Sequence, residues 1–251
     1  MRTSGCVKTL AVIQARVGSS RLPGKVLREI APGLTMLESV IERARKATKV
    51  DQVVVATTTE PNAVAIVAIC ERLGVPVSRG SELDVLDRFV QAARPYAPEV
   101  LVRITSDCPL LDPGVVDLLV GMREASGADY TSNALEHSFP RGLDCEVVRY
   151  AALEQAAREA TRDYERVHVM PYLYKNPERF RIESVVHERD LSRYRWTVDT
   201  PEDLALIQAI MRRLGPRARD AGFLEVLAVV EADEALSSIN GTIVQKSLEE
   251  C

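Results

Sequence analysis

The sequence predicts an α/β protein with a mostly parallel central sheet and helices on both faces. Short runs of β-branched residues alternate with longer stretches of helical periodicity, and an apolar run near the N-terminus leads into a loop rich in glycine and cations. With 46% hydrophobic residues, the 251-residue chain is long enough to bury a sizeable core. In such a sheet, ligands bind beyond the carboxyl ends of the strands.

The first half of the chain supplies the alternation. An apolar strand pattern begins at Leu10 and ends before Arg16, and β-branched runs predict strands at 53–58, 75–78 and 100–105. Helical patterns lie between these strands, at 36–47, 63–73 and 85–93, and a further helix is predicted at about 113–125.

The second half is less regular. Gly, Pro, Asn and His cluster between short strand-like pieces at 128–149, and helices are predicted at 151–160 and 164–175. Strands are predicted near 180–186 and in a run that ends at Asp199. Thr200 is expected to cap a helix that begins with Pro201 and runs to about Leu214.

No repeat, low-complexity segment or break in composition divides the chain. We therefore expect a single domain over residues 1–251, with an irregular excursion at about 128–190 that faces the acceptor or a dimer partner. Residues 247–251 are expected to fray.

Composition excludes several classes of protein. The net charge of −4 argues against polymeric nucleic acid as a partner. Five widely spaced cysteines without a C-x-x-C pair argue against a disulfide framework or a zinc knuckle, and they fit a reducing cytoplasm. Without an apolar leader or an apolar run of about 18 residues, no membrane association is expected.

The loop that begins at Arg16 has the composition of a polyphosphate site. Arg16, Arg21 and Lys25 lie within ten residues, together with Gly18 and Gly24. Cations neutralise phosphate charge, and glycine lets backbone N–H groups approach anionic oxygens. The spacing differs from a Walker A loop, because five residues separate the glycines and Val26 follows the lysine where a magnesium-binding hydroxyl would stand.

Two aspartates are expected at the same edge of the sheet. Asp107 follows the strand predicted at 100–105, and Asp199 ends the strand predicted before Thr200. Magnesium takes one or two carboxylates together with phosphate oxygens. Each aspartate alone could equally be a turn former or helix cap, but opposite a basic loop the pair predicts a Mg²⁺ site.

Several motifs in order carry a resemblance to a known family. They are VIQARVGSSRLPGKVL at 12–27, RGSELDVLDR at 79–88, RITSDCPL at 103–110, PRGLDCEV at 140–147 and RWTVDTPEDL at 195–204. Together they resemble the CTP-dependent sugar cytidylyltransferases, in particular the spore-coat polysaccharide biosynthesis F branch. That branch is similar to the acylneuraminate and 3-deoxy-manno-octulosonate cytidylyltransferases, which share a Rossmann-like nucleotide-diphospho-sugar transferase fold and usually form homodimers.

The resemblance implies roles for individual residues. Catalysis would fall to Arg16, Lys25 and Asp107, and Asp107 and Asp199 would hold magnesium. The nucleotide would lie against Gln14, Ala15, Arg16, Gly18, Ser19, Arg21, Lys25, Ala56, Thr57, Thr58, Ser81 and Asp107. The acceptor or dimer side would include Arg141, Gly142, Asp144, Glu146 and His168, and Arg195 and Arg166 are further cations for an anionic acceptor. Ser106 departs from the family, in which glycine is typical before the aspartate.

The resemblance implies transfer of CMP from CTP to a small anionic acceptor, with release of pyrophosphate. An acceptor oxygen would attack the α-phosphorus in line, and charge neutralisation would carry most of the catalysis. Two alternatives stay open: a glycosyltransferase that uses a nucleotide sugar, which would need a D-x-D motif, and a non-catalytic nucleotide or sugar sensor. His137 and His187 are more simply structural, as is Cys108, which has no histidine near it in sequence.

Overall fold

The structure is a computed structural model that describes residues 7–19 and 21–243. Its strands are β1 (Thr9–Gln14), β2 (Glu29–Ala31), β3 (Leu34–Thr35), β4 (Gln52–Thr58), β5 (Val77–Gly80), β6 (Val100–Thr105), β7 (Tyr130–Ser132), β8 (Glu146–Arg149) and β9 (Ile182–Ser184). Its helices are α1 (Met36–Ala44), α2 (Val64–Leu73), α3 (Val85–Ala93), α4 (Pro113–Ser126), α5 (Tyr150–Glu159), α6 (Asp163–His168), α7 (Pro171–Tyr174), α8 (Pro201–Leu214), α9 (Phe223–Glu231) and α10 (Glu234–Ser238). Residues 247–251, where fraying was expected, lie outside the described part.

A seven-stranded sheet organises the molecule. Its order is β5-β4-β1-β6-β8-β7-β9, and β2 and β3 form a separate hairpin. The four strands from β5 to β6 are parallel, β8 is antiparallel to both of its neighbours, and β9 is parallel to β7. The prediction of a mostly parallel sheet is confirmed.

The strand order reverses at β1. After β1 the chain adds β4 and then β5 on one side, and it returns to place β6 on the other side. Gln14 and Thr105, the last residues of β1 and β6, are register partners. Such a reversal opens a crevice beyond the carboxyl ends of the two strands, where ligands of open α/β sheets bind. The basic loop after β1 and Asp107 after β6 both start at this crevice.

Helices cover both faces of the sheet, as the alternation predicts. Side chains alternate along β1, so that Ala11 and Ile13 join one core and Leu10 and Val12 join the other. The first core also contains buried residues of α1, α2, α4, α8 and α9. The second contains those of α3, α5 and α7. Together these layers fix the strand ends that carry the polar residues.

The prediction of a strand that ends at Asp199 is wrong. The segment makes only an isolated bridge, between Arg141 and Arg195. Trp196 N–H donates to the Arg141 carbonyl, but Val198 N–H donates to the Asp107 carbonyl at 2.9 Å. Because the segment changes partner within three residues, no continuous ladder forms. It instead joins the loop after β6 to the segment around Arg141.

The helix predicted at 164–175 is interrupted. Between α6 and α7, Val169 has φ 75° and ψ −55°, and Met170 N–H donates to the His168 carbonyl at 2.9 Å. These values describe a γ-turn, which is strained for a β-branched residue. Pro171 then opens α7 as its first residue, because it needs no hydrogen-bond partner for an N–H. In the region predicted to be irregular, β7 and β8 extend the main sheet.

Candidate active site at the carboxyl ends of β1 and β6

The ends of the central strands are tied together by their backbones. Ala15 N–H donates to the Ala56 carbonyl at 3.1 Å, and Ser106 N–H donates to the Gln14 carbonyl at 3.1 Å. Ser106, at the position where the resemblance predicts glycine, is buried. Three of the predicted nucleotide segments, at the carboxyl ends of β1, β4 and β6, therefore lie side by side.

The basic loop is a compact turn. Gly24 has φ 66°, in the left-handed region that favours glycine, and its N–H donates to the Val17 carbonyl at 3.2 Å. Lys25 begins a short 3₁₀ helix directly after this glycine. Ser19 Oγ accepts the N–H of Leu22 at 3.4 Å. This turn directs Lys25 back toward the sheet.

Lys25 joins the two predicted metal ligands. Its ammonium donates to Asp107 Oδ2 at 3.0 Å, to Asp199 Oδ1 at 2.8 Å and to the Val198 carbonyl at 2.9 Å. Burial alone would lower the pKa of Lys25, but the two carboxylates raise it above its ordinary value. Burial would likewise raise the pKa of Asp107, yet the charge of Lys25 and local hydrogen bonds hold it at about 2. At neutral pH Lys25 and Asp107 are therefore both charged.

A second buried network holds Asp199. Its Oδ2 contacts Arg21 at 3.2 Å and accepts from Arg195 at 2.8 Å. Arg195 also binds Asp203, whose side chain accepts from Asn240 Nδ2 at 2.8 Å. Arg195 lies deep in the protein, with 7% of its side chain exposed. Its place in acceptor binding stays a prediction, and these contacts also give it a positioning role toward Asp199.

Helix α8 contributes to the same arrangement. Thr200 Oγ1 accepts the N–H of Asp203 at 3.3 Å, so the predicted N-cap is confirmed. Asp203 Oδ2 in turn accepts the backbone N–H groups of Asp199 and Thr200, at 2.9 and 3.1 Å. Burial would raise the pKa of Asp203, but Arg195, Asn240 and the Asp199 N–H lower it. The helix start thereby fixes the backbone that carries Asp199.

The donor set fits a magnesium-type cation. Within the described residues, no group of three or more His, Cys, Asp or Glu side chains is placed to hold a metal ion. A Mg²⁺ that also binds substrate phosphates needs only one or two carboxylates. Asp107 and Asp199 supply two, since both converge on the Lys25 ammonium.

Part of the predicted nucleotide site, Ala56 to Thr58 and Ser81, lies at the ends of β4 and β5. Thr58 and Gly80 are register partners, and Ser81 Oγ accepts the N–H of Asp84 at 3.0 Å. Arg88, for which no role was predicted from sequence, donates to the Ser81 carbonyl at 2.6 Å. It is buried on α3, its Nε has no hydrogen-bond partner in the described part of the chain, and burial and Arg16 lower its pKa to about 10.

The segment predicted to face the acceptor packs directly against Asp107's neighbours. Gly142 has φ 105°, and a Cβ there would lie 2.6 Å from Thr197 N. Asp144 Oδ2 accepts the N–H of Gly142 at 2.9 Å, and its other oxygen lies 4.0 Å from His137 Nδ1. His137, interpreted as structural from sequence, thus joins the Arg141 to Asp144 cluster. Burial raises the pKa of Asp144, against the hydrogen bond from Gly142 and the charges of His137 and Arg141.

Arg103 joins the predicted nucleotide and acceptor sides. Its Nε donates to Gln14 Oε1 at 3.1 Å, and its Nη1 forms a close ion pair with Glu146. Tyr130 donates its hydroxyl to the other Glu146 oxygen at 2.5 Å. The sequence signal for Arg103 is a single cation inside the largely apolar strand β6, and Arg88 is the single cation of α3.

Two further predicted residues, His168 and Arg166, lie on α6. His168 lies at the end of α6, and Arg166 of that helix binds Asp84 through two nitrogens, with Nε at 3.0 Å.

Cys108 is buried, and burial together with Asp107 raises its pKa well above the ordinary value, which disfavours a thiolate nucleophile.

In the described part of the chain, no helix has both the length and the apolar character that a bilayer crossing requires.

Comparison with known proteins places these residues in a family context. The sequence pattern of the cytidylyltransferase family matches residues 10–234. The chain is 36% identical over 217 residues to the spore coat polysaccharide biosynthesis protein SpsF of Bacillus subtilis, covering 83% of this chain and 88% of that protein. The predicted resemblance is confirmed.

Solved structures show the same architecture. A cytidylyltransferase of Leptospira borgpetersenii serovar Hardjo-bovis superimposes with a TM-score of 0.88 at 32% identity, covering 95% of this chain and all of the other. A CMP-2-keto-3-deoxy-manno-octonic acid synthetase solved with CTP gives a TM-score of 0.63 at 22% identity, over 82% of this chain and 99% of its own. The predicted fold class is confirmed.

Proposed function

The chain belongs to the cytidylyltransferase family and is a nucleotidyltransferase, and on this premise we propose that it transfers CMP from CTP to a small anionic acceptor. Pyrophosphate is the other product. The observation that carries the proposal is the convergence of Lys25, Asp107 and Asp199 beyond β1 and β6. The likeness to SpsF supports a place in the synthesis of surface polysaccharide precursors.

The cations of the loop bind the triphosphate. Arg16 has 57% of its side chain exposed and contacts only Glu82, at 3.6 Å, among the ion pairs of the described residues. Arg21 is partly exposed and Lys25 is charged at neutral pH. They lie at the crevice where the strand order reverses, between the carboxyl ends of β1 and β6. From there they can hold the α-phosphate and the leaving pyrophosphate while the acceptor oxygen attacks in line.

Asp107 and Asp199 hold a divalent cation, for which we propose Mg²⁺. When bound there, the cation neutralises phosphate charge and makes pyrophosphate a better leaving group. Asp107 remains ionised at neutral pH because its pKa is about 2. Arg195, Asp203 and Asn240 keep the Asp199 carboxylate in place through buried hydrogen bonds.

The acceptor binds on the Arg141 side of the crevice. Arg141 supplies charge for a carboxylate or phosphate, and Asp144 and His137 lie within the same cluster. Thr197 connects this segment to Asp107, since a Cβ at Gly142 would lie 2.6 Å from Thr197 N and Thr197 Oγ1 donates to the Asp107 carbonyl at 3.3 Å. An acceptor oxygen held beside Arg141 is thus close to Asp107, where the nucleotide phosphates are proposed to bind.

Pyrophosphate release tests the nucleotide and the acceptor together. CTP, UTP, ATP and GTP are each supplied with Mg²⁺ and a panel of acidic sugars, sugar phosphates and phosphorylated alcohols. We expect release only with CTP and only with a matching acceptor. Equal release with UTP, or release that needs no acceptor, would contradict the proposal.

We also propose that the protein is a cytoplasmic homodimer, as the family resemblance implies. Sedimentation equilibrium measures the mass in solution directly. A mass of twice the chain, independent of dilution in the micromolar range, is the expected result. A monomer at all concentrations would contradict it without affecting the proposed chemistry.

A further inference from the structure

The two carboxylates proposed to bind metal are already occupied by side-chain cations. The Lys25 ammonium has three N–H donors, and all three are used, by Asp107 Oδ2, Asp199 Oδ1 and the Val198 carbonyl, at 2.8 to 3.0 Å. Only 13% of the Lys25 side chain is exposed. The ammonium therefore stands at the point on which both carboxylates converge.

Asp199 is saturated on its second oxygen as well. Oδ2 receives Arg195 at 2.8 Å and lies 3.2 Å from Arg21. Arg195 is also paired with the buried Asp203, which fixes its guanidinium in the protein interior. Arg21 and Lys25 are the two cations that can leave. Asp199 can turn an oxygen toward a metal ion only after at least one of them has moved.

The charges of this cluster also balance. Lys25 and Arg21 offset the formal charges of Asp107 and Asp199, while Arg195 is offset by Asp203. A neutral cluster gives a free divalent cation little electrostatic attraction. Magnesium also gives up its water reluctantly. Both effects act against metal binding while Lys25 remains between the carboxylates.

The triphosphate removes this obstacle. We propose that Lys25 and Arg21 act as resident counterions, which exchange from Asp107 and Asp199 to the nucleotide phosphates and thereby open the carboxylates to the divalent cation. Metal and CTP then bind with strong positive coupling, and each raises the affinity for the other by the same factor. The inference deepens the proposed function and rests on it for the identity of the nucleotide.

The metal alone is sufficient to test the exchange. Mn²⁺ binding to the protein without nucleotide is measured by electron paramagnetic resonance for wild type and for Lys25→Met, which removes the charge at similar length. We expect Lys25→Met to bind Mn²⁺ at least about tenfold more tightly, within the usual range of coupling between sites. Lys25→Arg, which keeps the charge, should resemble wild type.

Matched variants control for a general loss of positive charge. Lys46→Met removes a lysine that pairs with Asp220 at 2.6 Å on the surface, and it should leave Mn²⁺ affinity unchanged. Adding Asp199→Asn to Lys25→Met should abolish the gain. If Lys25→Met does not fold, Arg21→Met replaces it, with a smaller gain expected because Arg21 pairs with only one of the two carboxylates, Asp199, among the ion pairs of residues 7–19 and 21–243.

Thermal unfolding provides a second readout. Mn²⁺ should raise the Tm of Lys25→Met more than that of wild type, because a ligand stabilises the state that binds it. The inference is overturned if folded Lys25→Met binds Mn²⁺ no more tightly than wild type. Neither readout uses CTP or an acceptor, so a failure of CMP transfer with a normal Mn²⁺ result would count against the proposed function alone.

Discussion

At the scale of single residues, Lys25 holds the site together. It reaches from the loop after β1 to both carboxylates, which stand 92 positions apart in the chain as residues 107 and 199. Since an ammonium so placed neutralises charge in the proposed transition state, its loss should affect turnover more than folding.

We expect Lys25→Ala to lower the rate of pyrophosphate release by about 10²-fold or more, the size seen when a group that stabilises transition-state charge is removed. Circular dichroism should show the native fold. Lys46→Ala, at a partly exposed lysine paired with Asp220, is the matched control and should keep its activity. An unchanged rate in a folded Lys25→Ala preparation would refute the catalytic role.

The ionised Asp144 carboxylate is predicted to lower the stability of the folded protein. Burial raises its pKa above the value of an unfolded carboxyl, so the folded state disfavours the charged form. The cost is present at neutral pH and disappears below about pH 4, where both states are protonated. Asp144→Asn, whose amide oxygen can still accept the Gly142 N–H, should therefore raise the Tm at pH 7 but not below pH 4.

The comparison needs an exposed carboxylate as a control. Glu136→Gln, in the same segment, should leave the Tm unchanged at both pH values, because Glu136 is exposed. If Asp144→Asn lowers the Tm at pH 7, the Asp144 carboxylate is stabilised by its surroundings, and the inference from burial is wrong.

At the scale of elements, the site depends on contacts between segments that form no regular secondary structure. The chain around Gly142 lies against Trp196 and Thr197, and Thr197 Oγ1 donates to the Asp107 carbonyl at 3.3 Å. These contacts bring the proposed acceptor segment beside the loop after β6. A side chain at Gly142 would separate them.

Gly142→Ala should be strongly destabilising. Its Cβ would lie 2.6 Å from backbone atoms of both Trp196 and Thr197, and φ 105° is unfavourable for any L residue. We expect a loss of more than about 2 kcal/mol in urea unfolding. Gly33→Ala, where φ is 66° and no atom lies within 4 Å of the added Cβ, should lose only about 1 kcal/mol. Equal losses would mean that the close approach is unimportant.

Sequence patterns identified the elements that have local signals. The helix at 85–93 and the strand at 100–105 agree with the structure residue for residue, because their apolar periodicity matches their packing. The prediction of a strand before Asp199 was wrong because the backbone hydrogen bonds of this segment go to two distant segments, which no local pattern encodes. The break in the helix at Val169 was not predicted for a related reason, since tertiary packing holds a β-branched residue in a γ-turn.

At the scale of the whole molecule, topology determines which predicted residues meet. Reversal of strand order at β1 places the basic loop beside Asp107. The backbone hydrogen bond from Val198 N–H to the Asp107 carbonyl then brings Asp199 to the same site. The sequence indicated the members of this cluster through motifs. It could not indicate that Lys25 bonds to both carboxylates, or that Arg103 connects Gln14 to Glu146, because these contacts depend on the register between strands.

The fate of the α-phosphorus tests the central claim most directly. The protein is incubated with CTP labelled with ³²P at the α-phosphate, with Mg²⁺ and with the acceptor that supports pyrophosphate release, and the products are separated. We predict that the label moves into a CMP conjugate of the acceptor and that the pyrophosphate carries none. Label found only in CDP or in unconjugated CMP, with no conjugate formed, would contradict nucleotidyl transfer at this site.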